Sequence, residues 1–338
     1  MPPPRRSDEG GQQCDCHHTQ QPAAARVVLG SVRPMADRFL ALDWGTTNLR
    51  AFIADAAGRP LLRRDFPLGV AGLAPGEAAQ RFVNEVRPAM QAEALPALLC
   101  GMIGSTLGWQ AVPYADCPAT FSGLAGALQR VEAEGPPVWI VPGLRTQRPD
   151  GGPDVMRGEE THIFGWAMAD PGRQRGTHLV CHPGTHAKWA RVVDNRIDQF
   201  VTAMTGELFA LLRTHSALKV AGAVPNDSAF EQGLAAAGDG GALASRLFTA
   251  RARVVGGNMG PKDVESYLSG LLIGAEVAAT PALLGIGQGA DIAIIGDPAL
   301  CEYYRRAIDW HGYTTSLFDG EAAVLAGLAA FYRERHPC

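Results

Sequence analysis

From Phe39 onward the apolar positions recur with two periods, one of two residues and one near 3.6, and the switches between them lay out an α/β chain. FLALDWG reads as a strand, and NLRAFIADAAG and RPLLRRDFPL extend it into an antiparallel meander that turns at Asp55 to Gly58. EAAQRFVNEVRPAMQ has helical spacing, PALLCG is a short buried strand, and the stretch through Trp109 to Cys117 has little period. A second helix is expected from Phe121 to about Glu134, followed by the strand PVWIVPGL and a helix over RGEETHIFGWAMA.

The order then repeats. THLVCHPGT is an apolar strand entering a Gly-Thr turn, AKWARVVDNRIDQFVTAM gives two more strands about Asp194-Asn195, and GELFALLRTHSAL is a helix. Helix VESYLSGLLIGAEVAA, strand ADIAIIGD, helix CEYYRRAIDWHG, strand YTTSLFDG and helix EAAVLAGLAAFYRER complete the half. A shift of 139 positions superposes Gly45-Thr46 on Gly184-Thr185, Ala51 on Ala190 and Asp55 on Asp194. The pattern predicts a duplicated βββαβαβα unit, with domains over residues 37–172 and 173–338 behind an N-terminal tail of residues 1–36.

Composition narrows the class. Hydrophobic residues make up 46% of the 338 and charged residues 19%, enough apolar material for two cores and too much for wholesale disorder. Residues 1 to 34 differ: five prolines and four glutamines with little periodicity predict a disordered tail, with Met35 as an alternative start. Cys14, Cys16, His17 and His18 crowd into five residues without a second pair, a spacing that closes a tetrahedral metal site poorly. The net charge of −4 and the lack of a long Lys/Arg run argue against nucleic acid. Seven scattered cysteines fit a reducing cytoplasm better than a secreted disulfide framework. Tyr267 to Val277 is interrupted by Glu276 and followed by Pro281, so no membrane span is expected, and MPPPRRSDEG lacks the apolar core of a signal peptide.

The candidate chemistry starts at LALDWGTTNLRAF, which puts Asp43 at a strand end ahead of small residues whose N–H groups can approach a phosphate. An ordinary hairpin would also use Asp43 and Thr46 to satisfy local backbone groups. CHPGTHAKW sets a second Gly-Thr hairpin at the corresponding place, and two opposed hairpins suit a nucleotide polyphosphate in an interdomain cleft.

These residues resemble the actin, sugar kinase and Hsp70 superfamily, whose domains share a ribonuclease-H-like sheet. Further strings in order, GMIGSTLGW, AVPYADCPA, DVMRGEETHIFG, PGTHAKW, MTGELFALLRTHS and YLSGLLIGAEV, are similar to the 2-dehydro-3-deoxygalactonokinases from about residue 38 to 330. His182 departs from the apolar residue expected before Pro183, and Ala187 from a small polar one. The resemblance implies an ATP-dependent kinase for the C6 hydroxyl of 2-dehydro-3-deoxy-D-galactonate; a kinase for another sugar acid and a non-catalytic nucleotide sensor are the alternatives. Phosphoryl transfer would use Asp43 on Mg²⁺ through water, Gly45, Thr46 and Thr47 from one hairpin, and Gly184, Thr185 and His186 from the other. Arg50 and Lys188 would add positive charge, and Gly206 and Gly296 would border the nucleotide. Glu159 occupies the place of the family's base at a helix start, with Asp154 as competitor, though both acids, like Glu160, would also suit helix capping. Gly104, Ser105 and Trp109 would contact the sugar acid, and Arg157 its carboxylate or one of the protein's own. A homodimer is compatible with this reading.

Because the tail lacks the apolar surface that offsets ordering entropy, a chain starting at Met35 is expected to keep the unfolding midpoint and turnover of the full chain. Parallel thermal melts and rate assays check this, and loss of soluble protein from the shortened chain would contradict it.

Overall fold

The computed structural model describes residues 38–219, 222–238 and 241–336, so the expected tail lies outside the described residues. Its centre is a pair of six-stranded mixed sheets. In the first, β1 (Arg38–Trp44), β2 (Leu49–Asp55) and β3 (Pro60–Phe66) form the predicted antiparallel meander. β4 (Ala97–Cys100) lies parallel to β1 after the helical stretch α1 (Glu77–Arg81), a π turn at Phe82–Val86, and α2 (Arg87–Met90). Short strands β5 (Ala115–Asp116) and β6 (Ala119–Thr120) precede α3 (Phe121–Gly126), β7 (Gln129–Val131) and β8 (Val138–Ile140).

Two expectations fail here. The helix from Phe121 stops at Gly126 instead of Glu134, because Gln129–Val131 pairs with β8 across a turn in which Gly135 takes a φ of 89° and two prolines follow. The strand PVWIVPGL is cut at Pro142, which has no N–H for a ladder. Its second part becomes β9 (Leu144–Gln147), in a small sheet with β10 (Pro153–Met156) and β5.

After α4 (Glu159–Met168) the second sheet repeats the plan. β11 (Thr177–His182), β12 (Ala187–Val193) and β13 (Arg196–Ala203) form the meander, and Asp194 and Asn195 make its turn with φ of 48° and 59°. α5 (Thr205–His215), α6 (Asp227–Gly238), α7 (Leu243–Leu247), α8 (Thr249–Val255) and α9 (Val264–Leu283) intervene before β14 (Asp291–Gly296). α10 (Pro298–Trp310), β15 (Thr314–Asp319) and α11 (Gly320–Arg335) follow. The strand orders β3-β2-β1-β4-β8-β7 and β13-β12-β11-β14-β15 match from the meander outward, the ribonuclease-H-like arrangement in duplicate. The ladders refine the superposition: Asp43 pairs with Arg50 and His182 with Lys188, so the offset of 139 before the turn becomes 138 after it. No motif marked the helices between α5 and α9, and Pro261–Leu283, against expectation, is long and apolar enough to cross a membrane. That span is 61% buried within the fold and packs along α6, so its apolar surface is core.

Period two decides how the layers join. Leu40 and Leu42 of β1 face a core with Phe82, Val86 and Met90, whereas Phe39 and Ala41 face a core shared with Val180, Ala190 and Ile295 of the other sheet. α4 and α11 fill this shared core. Their backbones meet: a Cβ on Gly165 would lie 1.9 Å from the Ala323 oxygen, and one on Gly327 2.2 Å from the Thr161 oxygen. Gly165→Ala should therefore destabilise the chain by at least about 2 kcal/mol, as overpacking does when backbone must move. Denaturant melts check this, and an unshifted midpoint would contradict the crossing.

Candidate active site

The C-terminal ends of the parallel strands of both sheets open onto one cleft of about 550 Å³. Its lining includes Asp43, Gly45, Thr46 and Arg50 from the first meander and Pro183 and Gly184 from the second, so the two hairpins face one space. Asp43, half-buried at the end of β1, lies 3.4 Å from the more exposed Arg50 guanidinium. The N-termini of α4, α10 and α11 also open here through Glu159, Asp297 and Gly320. The ends of α10 and α11 carry their own anions, since Asp297 accepts the Ala299 and Leu300 N–H groups and Asp319 accepts that of Ala322.

Glu159 is the first residue of α4 and lines the cleft. Gly158 before it has a φ of 114°, open to glycine and strained for other residues, and seats the helix end against Gly101. One Glu159 oxygen accepts the Arg157 N–H at 3.0 Å and the other lies 3.4 Å from Nζ of buried Lys188 on β12. A first-half acid thus meets a second-half cation next to both hairpins. Glu160 points the other way: fully buried, it accepts the Gly158 N–H at 2.7 Å and the Thr161 hydroxyl at 3.1 Å. Burial, then neighbouring Glu159, pushes its carboxyl up to about 7. His162 and His182 stack edge to face at 4.7 Å on the cleft wall. Burial, then His162, holds the His182 imidazole well below its usual value, so it is neutral at pH 7.

Arg157 is buried, its Nη2 donating to the Val112 carbonyl at 2.7 Å and its guanidinium 4.3 Å over the Tyr114 ring. Its Nε and Nη1 have no protein partner, and the residue lines the cleft. Both atoms are buried and lie on different sides of the guanidinium, so a carboxylate in the cleft meets this cation by its charge and not through that pair. Gly104 sits under this side chain, where a Cβ would lie 2.9 Å from Nη1.

Other expected residues stand elsewhere. Asp154 accepts the Thr202 N–H and hydroxyl, both at 2.7 Å, which fastens β10 to β13 away from the cleft lining. Trp109 packs on Phe82 at 5.3 Å, Ser105 accepts the Leu107 N–H, and neither lines the cleft. Thr47 is exposed outside the lining, and exposed His186 pairs with Glu207 at 2.5 Å. Gly296 lies in the cleft, while Gly184, Thr185 and Gly206 border a second, mostly apolar cavity of about 430 Å³. Phe209, Pro225, Ser269, Ile273 and Tyr303 help wall that cavity, and Gly184 and Leu300 join it to the cleft. Sequence reading missed those five wall residues and Leu300, together with Arg63, Asp297 and Asp319 of the cleft. The two acids were within reach, since Asp297 and Asp319 cap helices directly after parallel strands.

Known proteins similar to this chain point to one family. The model of the 2-keto-3-deoxy-galactonokinase family matches residues 43–331. An Escherichia coli (strain K12) 2-dehydro-3-deoxygalactonokinase is 35% identical over 297 residues, 87% of this chain and 97% of that protein. A Rhizobium meliloti (strain 1021) relative assigned the same activity is 36% identical over 309 residues, 89% of this chain and 99% of its own. A crystal structure from Sinorhizobium meliloti, of a protein described by that activity, superposes with a TM-score of 0.79 at 33% identity, covering 89% of this chain and all of its own.

Glu160 carries a pH signature. Its folded carboxyl near 7 holds a proton that the unfolded chain, near 4.5, releases first, so its contribution is full below pH 4.5 and is lost as pH rises through 7. Relative to wild type, Glu160→Gln should gain on the order of 3 kcal/mol between pH 4.5 and 7.5. Denaturant melts across that range read the difference; parallel pH slopes would contradict an ionisable group buried there.

Proposed function

The chain belongs to the 2-keto-3-deoxy-galactonokinase family, and from that premise we propose that it transfers the γ-phosphoryl group of ATP to the C6 hydroxyl of 2-dehydro-3-deoxy-D-galactonate. The observation that carries this reading is Glu159 at the mouth of α4, in the cleft that both hairpins line.

The substrate hydroxyl lies beside Glu159, which accepts its proton as the C6 oxygen attacks the γ-phosphorus. The bond from that phosphorus to the bridging oxygen breaks, and ADP leaves. The Thr46 N–H meets the transferring phosphoryl from one side, the Gly45 N–H being donated to the Asn48 carbonyl at 2.9 Å, and those of Gly184 and Thr185 meet the β and γ positions from the other. Arg50 and Lys188 supply positive charge at its edges, Lys188 being already 3.4 Å from Glu159. The cleft's carboxylates are hard oxygen donors, and no group of three or more His, Cys, Asp or Glu residues suited to a metal occurs among the described residues. That donor set fits Mg²⁺, which takes few carboxylates and keeps its waters, with Asp43 holding it through water. When bound, Mg²⁺ neutralises developing charge on the phosphates.

Arg157, on the cleft lining, takes the sugar-acid carboxylate, which orients the far end of the substrate toward Glu159. The apolar cavity takes the adenosine, between Gly206 at its back and Tyr303 of α10. Residues 37–172 and 173–338 serve as the two lobes around this cleft. The same reading places the enzyme in the cytoplasm, in D-galactonate catabolism, and is compatible with a homodimer.

Glu159→Gln keeps the size and most hydrogen bonding of the side chain but removes the proton acceptor, so kcat should fall at least about 10²-fold. Asp43→Asn should lower kcat while leaving sugar-acid binding close to wild type. Asp154→Asn should leave kcat nearly unchanged. Steady-state rates with ATP and the sugar acid check all three, and a large loss at Asp154 beside near-normal turnover at Glu159 would reverse the assignment of the base.

A further inference from the structure

Behind the apolar cavity the second half buries a carboxylate that the proposed chemistry does not use. Glu276, in the middle of α9, is 8% exposed. One of its oxygens accepts the Trp189 indole N–H at 2.5 Å and the other the Tyr304 hydroxyl at 3.0 Å. The Thr205 side chain also lies near this carboxylate. Two donors, from β12 and α10, therefore converge on one buried acid with Thr205 of α5 beside it, an arrangement in which each donor fixes the other.

These residues stand at informative places. Thr205 and Tyr304 line the cavity, and Thr205 is the first residue of α5. That helix end abuts the second hairpin: the Glu207 N–H donates to the Thr185 carbonyl at 3.0 Å, and a Cβ on Gly206 would lie 2.5 Å from the Gly184 oxygen. Trp189 belongs to the strand that leaves the same hairpin. Glu276 thus grips residues 183–186 from both flanks, through Trp189 on the strand and Thr205 on the adjoining helix.

We propose that Glu276 is a positioning residue for the nucleotide, clamping the second hairpin and holding Thr205 and Tyr304 against the nucleoside cavity. This rests on the assignment of that cavity and hairpin to the nucleotide. A hairpin that meets phosphate through its N–H groups must hold them aimed before the ligand arrives, because ordering them on binding subtracts from affinity. The clamp supplies that order without touching the nucleotide or the reacting atoms. The first hairpin, Asp43 and Arg157 lie outside the network, so sugar-acid binding should not depend on it.

The test measures ADP binding to the full chain by calorimetry, together with steady-state constants, for wild type, Glu276→Gln and Tyr304→Phe. Glu276→Gln keeps the shape but turns an amide donor toward one of the two hydrogens, and should loosen ADP and raise the KM for ATP about tenfold. The sugar-acid KM and kcat should stay within about twofold, a split that general loosening of the fold would not produce. Unchanged ADP affinity, or equal weakening of both ligands, would overturn the inference. Should Glu276→Gln not unfold cooperatively, Tyr304→Phe decides: about threefold weaker ADP binding supports the clamp, and unchanged binding refutes it. A wild-type chain that binds no ADP would remove the inference by removing the nucleotide site, whereas ADP binding without turnover of the sugar acid would sink only the choice of acceptor and leave the clamp testable.

Discussion

The structure depends on the crossing of α4 and α11 between the two sheets. Gly165 and Gly327 remove the side chains that would otherwise hold the helices apart, so backbone lies on backbone in a core to which both sheets contribute. A close-packed core of this kind resists continuous deformation, and the positions of the two helix ends are fixed with it. Those ends are Glu159 and the Asp319–Glu321 segment, both on the cleft wall. The packing of two helices therefore sets where charged groups of the two halves meet.

The cleft uses that placement to bring opposite charges from different halves close together. Lys188 reaches Glu159 at 3.4 Å and Arg63 reaches Glu321 at 2.9 Å, each pair joining one half of the chain to the other. The two pairs differ in setting. Arg63 is about half exposed, and exposed pairs contribute little to stability, so it is available to an arriving anion. Lys188 is buried, which makes loss of its partner costly unless another anion takes the place. A phosphate beside the second hairpin is such an anion. Glu160 behind this surface and His182 on it are held toward their neutral forms by burial, so the charge facing the ligand comes from Glu159, Asp43 and the cations around them.

Much of this was legible in the sequence because it rests on local periodicity. The meanders, both Gly-Thr hairpins, the helix beginning at Glu159 and the duplicated order follow from periods of two and 3.6 and from turn residues. The failures are tertiary. Gln129–Val131 is a strand because β8 lies beside it, a fact absent from its own composition. Asp154 looks like a free acid beside a catalytic helix, yet its oxygens are taken by Thr202, 48 residues away. Trp109 and Ser105 sit in a motif rich in polar and aromatic groups, but packing on Phe82 and a local turn use them up. The apolar cavity drew on α5, α9 and α10, whose apolar residues read as ordinary core until the fold left a space between them. Arg157 was named as a carboxylate partner from its residue type, whereas its two unpaired donors emerge only from three-dimensional placement.

The central claim is that a cleft built from two opposed hairpins and a carboxylate at a helix mouth phosphorylates a sugar acid anchored by Arg157. An ADP-release assay with ATP and Mg²⁺ across a panel of sugar acids and their uncharged sugar counterparts tests it most directly. The account predicts turnover with 2-dehydro-3-deoxy-D-galactonate well above that with any acceptor lacking the carboxylate. ADP release that is no faster with any sugar acid than without an acceptor, or that is fastest with an uncharged sugar, would contradict it.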